Sequence, residues 1–266
     1  LKDAEIWLNA TLQSISNVRI ARHMMLNLLQ VPAYESSLES LERFVSRWID
    51  NMKHTEITVN DFKETIELVG LTTPYATGIG LKTVHTVLDL YEDKDHPLHT
   101  KFGFMDKKSV LESQWHALEI ILESVFINST TKHQWQKAFM LLERYCNIRS
   151  DFAAVRICFT YRLDDFSWEG YKPLTQCGRQ LFVKDIITFY LSSGETQKEL
   201  IALHAAEALL SDIPRDSVWR GRVPDRPEVK QIHAQIIPLL IDFYATSSNQ
   251  DHCNIAFNHL VRRLNV

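Results

Sequence analysis

Apolar side chains recur along the chain at steps of three and four residues, with polar residues between them. An α-helix completes a turn in about 3.6 residues, so this spacing places the apolar positions on one helix face. Seven windows show this spacing, among them those that contain Trp48, Leu88, Leu122, Phe139 and Leu203. No segment alternates convincingly between apolar and polar residues as a strand would. The pattern therefore predicts an all-α fold of roughly eleven or twelve helices, most of them three to five turns long.

Start and stop signals support these windows. A side-chain oxygen ahead of a helix can accept from the free amides of the first turn. Residues predicted to cap helix starts in this way are Asn60, Ser109, Thr131, Ser150 and Asp251. Ser109 and Glu112 together have the spacing of a capping box. Pro227 suits the first turn of a helix, where its missing N–H costs nothing, and Thr73-Pro74 predicts a helix end.

Composition narrows the function classes. Hydrophobic residues make up 45% of the chain and charged residues 23%, which is typical of a folded protein. The formal net charge of −4 gives no electrostatic case for nucleic acid or an anionic membrane. No apolar run reaches the roughly 18 to 20 residues that cross a bilayer. The four cysteines show no CxxC spacing, so we expect an intracellular protein of the cytoplasm or nucleus.

The longer connections do not divide the chain. Residues 92–107 and 212–226 exceed the usual length of a helix–helix loop, but neither is rich in proline, glycine and serine. We therefore predict a single all-helical domain over residues 1–266. Because the chain begins at Leu1 and helical patterns run close to both ends, we expect it to be a segment of a longer protein.

Two helix pairs near the C-terminus resemble each other. Residues 185–190 and 199–210 form one pair, and residues 237–244 and 251–263 form the other. The first helix of each pair ends in an aromatic pair and is followed by a short polar turn. This arrangement, with Pro238 inside a first helix, is similar to HEAT and armadillo repeats, although the aromatic pairs lie further apart than their roughly 40 to 47 residues.

That resemblance implies an α-solenoid of stacked antiparallel helix pairs, because each pair has an apolar stripe that it cannot bury alone. An irregular all-α bundle is the alternative, since its helices would show the same periodicity. A solenoid presents a long concave surface to other chains. The function that follows is a non-enzymatic protein–protein interaction scaffold within a larger multi-subunit assembly.

An aspartate-rich segment offers an enzymatic alternative. Asp164, Asp165 and Glu169 resemble the motif with which all-helical terpenoid synthases hold Mg²⁺ against a diphosphate. The second metal-binding triad of such enzymes is missing downstream, and the segment lies at a helix end. Exposed acids at a helix–loop junction are the better interpretation, and an Mg-dependent enzyme that acts on a diphosphate stays the alternative.

Other candidate sites are weaker. Asp93, Asp95, His96 and His99 share a loop and are possible ligands for a transition metal, but no HExxH helix occurs. The segment Gly78-Ile-Gly80 opens a helix, where phosphate can bind, yet it lacks the remaining features of a phosphate loop. A helix start that needs small residues explains it better. With no GxSxG motif and mostly single helical histidines, we predict no catalytic residue, metal site or cofactor.

The predicted partner site is a loop that ends at the start of a late helix. It contains Arg215, Arg220, Arg222 and Arg226 around Trp219, together with two aspartates. Tryptophan and arginine are enriched where protein interfaces hold most of their binding energy. We predict that these five residues contact another protein chain. Nucleic acid is possible but less favoured because of the two acids, and no membrane contact is expected.

Overall fold

The computed structural model describes residues 10, 17, 19–20, 23–24, 38–53, 58–93, 95, 108–150, 152–159, 176–210 and 227–264. Ten helices with defined bounds lie in these ranges, and no strand is found there, which confirms the all-α prediction. The helices are α1 (Leu38–Asn51), α2 (Val59–Thr72), α3 (Thr77–Glu92), α4 (Lys108–Asn128), α5 (Lys132–Arg149), α6 (Ala153–Phe159), α7 (Gln176–Leu191), α8 (Thr196–Leu210), α9 (Pro227–Thr246) and α10 (Gln250–Leu264).

Three of the predicted helix signals are confirmed, because α2 ends at Thr72 just before Thr73-Pro74, and Thr131 and Pro227 lie where they were expected. The Thr131 hydroxyl accepts from the backbone N–H of Gln134 at 3.2 Å, and the Gln134 side chain accepts from the backbone N–H of Thr131 at 3.2 Å. This reciprocal capping box satisfies two amides that the first turn of α5 cannot pair internally. Pro227 is the first residue of α9.

The other predicted caps are displaced, and at two helix starts a nearby residue makes the cap instead. α2 begins at Val59, and Thr58 rather than Asn60 accepts from the third amide. Ser150 ends α5 in the left-handed conformation, with φ of 55°, instead of starting the next helix. In α10, Asp251 lies inside the first turn and the Asn249 side chain accepts from His252 N–H at 3.3 Å. Ser109 likewise lies within the first turn of α4.

Two compact units make up the chain, one of residues 1–128 and the other of residues 129–266. The prediction of one domain over residues 1–266 stays a prediction. In the first unit α2, α3 and α4 pack on one another, and α1 packs on α2 and α3. The side chains of Val45, Ile49, Leu68, Leu88 and Leu122 are fully buried there.

The second unit contains three helix pairs that are consecutive in the chain: α5 with α6, α7 with α8, and α9 with α10. α8 packs against both α6 and α10, and α7 packs against both α5 and α9. Within the first pair, Phe159 at the end of α6 lies 6.4 Å from Trp135 near the start of α5, measured between ring centres, so these two helices are antiparallel. The core includes Trp135, Phe139 and Phe159, none of which is exposed by more than 1%.

Candidate functional site

All five residues of the predicted partner loop, Arg215, Trp219, Arg220, Arg222 and Arg226, lie outside the described residues. The same holds for Asp164, Asp165 and Glu169, and for His96 and His99. The two described acids of the first long loop form a local turn, in which Asp93 Oδ1 accepts from the backbone N–H of Asp95 at 3.2 Å. Within the described ranges, no group of three or more His, Cys, Asp or Glu side chains is placed to hold a metal ion.

The two glycines at the start of α3 have different surroundings. Gly78 is exposed, and a Cβ placed on it would meet nothing within 4 Å. A Cβ on Gly80 would lie 2.6 Å from Thr73 Cγ2 and 2.6 Å from Val125 Cγ2. The interpretation of this segment as a helix start that needs small residues is therefore confirmed at Gly80. At that position the backbone of α3 approaches the end of α2 and the side of α4.

Several large apolar side chains of the second unit are exposed. Met140 on α5 and Phe189 on α7 are each 66% exposed, the highest values among the large apolar residues that the structure describes. Ile241 and Tyr244 on α9 are about half exposed as well. All four lie on the first helices of the three pairs. Large apolar side chains grouped in this way are typical of surfaces that bind another molecule.

Met140 and Phe189 lie at the same level of neighbouring helices. α5 and α7 run in the same direction, because Lys132 lies opposite Asp185 at 3.9 Å and, further along, the Tyr190 hydroxyl donates to Glu143 at 3.1 Å. The rings of Phe139 and Tyr190 are 5.3 Å apart, and Met140 and Phe189 are their immediate chain neighbours. We call the exposed side chains of Lys137, Met140 and Phe189 the α5–α7 face.

The phenol of Tyr190 forms a hydrogen bond between α7 and α5 beneath this face. Tyr190 is 5% exposed, and burial is the largest cause of a pKa well above the usual value for tyrosine. The negative charge of Glu143 and the hydrogen bond to it raise this pKa further. The phenol therefore stays protonated, and its hydrogen bond to Glu143 links α7 to α5 beneath the α5–α7 face.

A cluster of charged and titratable side chains joins the second helices of the three pairs. Glu207 on α8 is its centre, and its side chain is 25% exposed. Glu207 Oε2 lies 3.3 Å from Arg156 of α6 and 3.6 Å from His204 of α8 itself. Glu207 Oε1 lies 3.3 Å from Arg262 and 4.0 Å from His259, both on α10. We call these five residues the Glu207 cluster.

Both histidines of the Glu207 cluster have a pKa below the ordinary value for histidine. For His204 and His259 alike, burial is the largest cause, and the positive charge of Arg156 lowers the pKa further. Arg262 acts in the same direction on His259. The negative charge of Glu207 raises both pKa values, but by less than burial lowers them. Neutral imidazoles beside two guanidiniums and one carboxylate are therefore the resting state at neutral pH.

A second buried contact joins α8 to α10 nearer their N-terminal ends. His252 Nδ1 lies 2.5 Å from Glu199 Oε2, and the two side chains are 4% and 8% exposed. Together with the Glu207 contacts, this pair shows that α8 and α10 run in the same direction. Polar contacts between the two helices thus lie at two levels, one at each end of their shared interface.

Sequence patterns did not single out these features, although each leaves a trace. His204 precedes Glu207 by three residues, and His259 precedes Arg262 by the same step, so each pair shares one helix face. The sequence pattern does not show that α8 packs against α10. That packing brings the His204 and Glu207 pair next to the His259 and Arg262 pair. Phe189 belongs to an apolar stripe that was expected to face the core, because periodicity alone does not separate buried apolar positions from exposed ones at the stripe's edge.

The comparisons with known proteins add no family. No protein-family model, curated protein or solved structure matches the chain. None of the helices that the structure describes is long and apolar enough to cross a membrane.

Proposed function

We propose that the chain is a non-enzymatic protein–protein interaction scaffold whose second unit is an α-solenoid similar to HEAT and armadillo repeats. The order of helix contacts supports this architecture. α6, α8 and α10 form one row of neighbours, and α5, α7 and α9 form a second row. Contacts between equivalent helices of successive pairs are what stacking of repeats requires.

The α5–α7 face carries the proposal. Fully burying a methionine or phenylalanine side chain contributes about 1.5–3 kcal/mol. With 66% of Met140 and of Phe189 exposed, a partner that covered them would gain on the order of 1–2 kcal/mol from each. Both side chains project from helices, so binding need not order the backbone that carries them.

The charges near these side chains indicate the chemistry of the partner. Lys137 precedes Met140 by one helical turn, and Lys184 is exposed on α7. Neither lysine pairs with a carboxylate among the described residues, whereas Lys132 is paired with Asp185. An amphipathic helix with an apolar stripe and acidic neighbours complements this surface, as in other helix-in-groove interfaces.

A matched pair of double variants tests the proposal. Met140→Glu with Phe189→Glu places two charges on the α5–α7 face, while Asn254→Glu with Asn258→Glu adds the same charges at exposed positions of α10. Each protein is used to capture partners from lysate with and without nuclease, and the retained proteins are quantified by mass spectrometry. We expect one stoichiometric, nuclease-resistant protein on the wild type and the control but not on the Met140/Phe189 variant, with unchanged melting temperatures.

Two results would overturn this assignment. If the Met140/Phe189 variant retains the same protein as the wild type, the α5–α7 face does not bind it. If retention disappears with nuclease, the scaffold binds nucleic acid instead. Lys137→Glu refines the test, because reversing a charge at the rim should weaken capture and reduce its dependence on salt.

The arginine-rich loop remains a second predicted contact region. Replacing Trp219 and Arg220 together by alanine should weaken binding of the same partner without changing the melting temperature, because interface tryptophans and arginines contribute much of the binding energy. A large loss of stability instead would place Trp219 in a core and remove the loop from the proposed site.

A further inference from the structure

We propose that the Glu207 cluster is a proton-sensitive joint that holds α6, α8 and α10 together at neutral pH and loosens in acid. This inference does not depend on the identity of any partner. It rests on the position of five titratable or charged groups across three helices, and on the low solvent exposure of the His204 and His259 side chains.

The geometry makes Glu207 the shared anion of three helices. Each of its oxygens faces one arginine at 3.3 Å, so the carboxylate links Arg156 of α6 to Arg262 of α10. The imidazoles fill the space beside it. His204 stacks on Phe152 with ring centres 4.7 Å apart, and His259 is 8% exposed.

His259 is the most constrained member. Among the described residues neither of its ring nitrogens has a hydrogen-bond partner, and Glu207 is 4.0 Å away. A neutral imidazole tolerates this position better than an imidazolium does, because a buried charge without hydrogen bonds loses its hydration uncompensated. Uptake of a proton would also place a third positive charge beside Arg156 and Arg262.

The groups that act on these histidines come from three helices. On His204 act Arg156 of α6 and Glu207 of α8, and on His259 act Glu207 and His204 of α8, Arg262 of α10 and Arg156 of α6. The Glu199–His252 pair lies at the other end of the α8–α10 interface and is a separate buried contact.

The direction of the pH effect follows from proton linkage. Because the pKa values of His204 and His259 are lower in the folded chain than their ordinary value of about 6.5, the unfolded chain binds more protons in weak acid. The Glu207 cluster makes its full contribution to the free energy of unfolding above pH of about 6.5, and this contribution is lost as the pH falls below that value. Acid therefore weakens the contacts between successive helix pairs of the second unit.

The first test measures the titration midpoints of His204 and His259 directly in the full chain. NMR titration follows each imidazole C–H resonance, assigned with His204→Phe and His259→Leu, and we expect both midpoints to lie below about 6.5. Arg262→Gln removes an exposed guanidinium and should raise the His259 midpoint, a change that a purely structural role would not produce. Midpoints at or above 6.5 in the wild type would overturn the proposal, because the histidines would then strengthen the joint in acid.

The second test measures how the melting temperature changes with pH. Thermal unfolding is compared at pH of about 7.5 and 5.5, on either side of the ordinary histidine pKa, for the wild type, for His204→Phe with His259→Leu, and for His85→Gln as a histidine control on α3. We expect the double variant to lose less melting temperature on acidification than the other two proteins. An equal loss in all three would contradict the joint, and if the double variant does not fold, the wild-type NMR midpoints decide.

Discussion

Replacing Gly80 by alanine tests the closest helix contact of the first unit. The new Cβ would lie 2.6 Å from methyl carbons of both Thr73 and Val125, well inside van der Waals contact. Neither neighbour yields easily. Thr73 is fully buried and its hydroxyl donates to Val69 O at 2.8 Å, while Val125 is fully buried and branched at Cβ within a helix.

The expected magnitude combines two opposing terms. Overpacking a close-packed site costs about 1–3 kcal/mol. Alanine is favoured over glycine inside a helix by up to about 1 kcal/mol, which offsets part of that cost. We therefore expect Gly80→Ala to lower the free energy of unfolding by about 1–2 kcal/mol.

Gly78→Ala is the matched control, because it makes the same substitution two residues away in open space. It should leave stability unchanged or raise it by up to about 1 kcal/mol. Guanidinium unfolding followed by circular dichroism measures both variants, and the comparison concerns the transition that unfolds the first unit. If Gly80→Ala proves as stable as Gly78→Ala, α2, α3 and α4 do not approach as closely as described.

Three further changes test the second unit. Trp135→Phe should destabilise it by on the order of 2–3 kcal/mol in chemical unfolding, because it leaves a void and removes the 3.0 Å bond from the buried indole N–H to Ser129 O. Thr131→Ala should cost about 1 kcal/mol through loss of the α5 cap, and Thr131→Ser should restore most of it. Tyr190→Phe should reduce the loss of stability above pH of about 10, since the raised pKa of this phenol makes the unfolded chain release its proton first. An unchanged alkaline profile would mean that Tyr190 does not lie buried beside Glu143.

Helices were predictable from sequence because their signals are local. Apolar spacing indicated the windows around Trp48, Leu88 and Phe139, and each falls inside a helix. Cap positions were less predictable, since several residues near a helix start compete for the same amides. Thr58 makes the α2 cap, where Asn60 was expected, and the choice depends on where the preceding chain enters.

The aromatic pairs show why the two similar helix pairs could not be aligned residue by residue. Sequence similarity matches Phe189-Tyr190 with Phe243-Tyr244. In the structure Tyr190 and Phe243 are buried, while Phe189 and Tyr244 are exposed. The buried faces of the two helices are thus offset by one residue, because packing against neighbours decides which member of each pair turns inward. That offset also leaves Phe189 on the α5–α7 face, a position that apolar periodicity does not predict.

Long-range pairing accounts for the rest of what sequence reasoning missed. Glu207 and Arg262 lie far apart along the chain, so only the packing of α8 on α10 brings them together. A histidine that is single on its own helix, such as His259, therefore gave no sign that it belongs to a charged cluster.

Site-specific photo-crosslinking is the most direct test of the central claim that the α5–α7 face binds a protein. A benzophenone amino acid replaces Phe189 in the full chain, and the control places it at Asn258, which is exposed on α10. After irradiation in cell lysate, we predict a discrete protein adduct at Phe189 that survives nuclease and is absent at Asn258. No adduct at Phe189, or the same adducts at both positions, would contradict the claim.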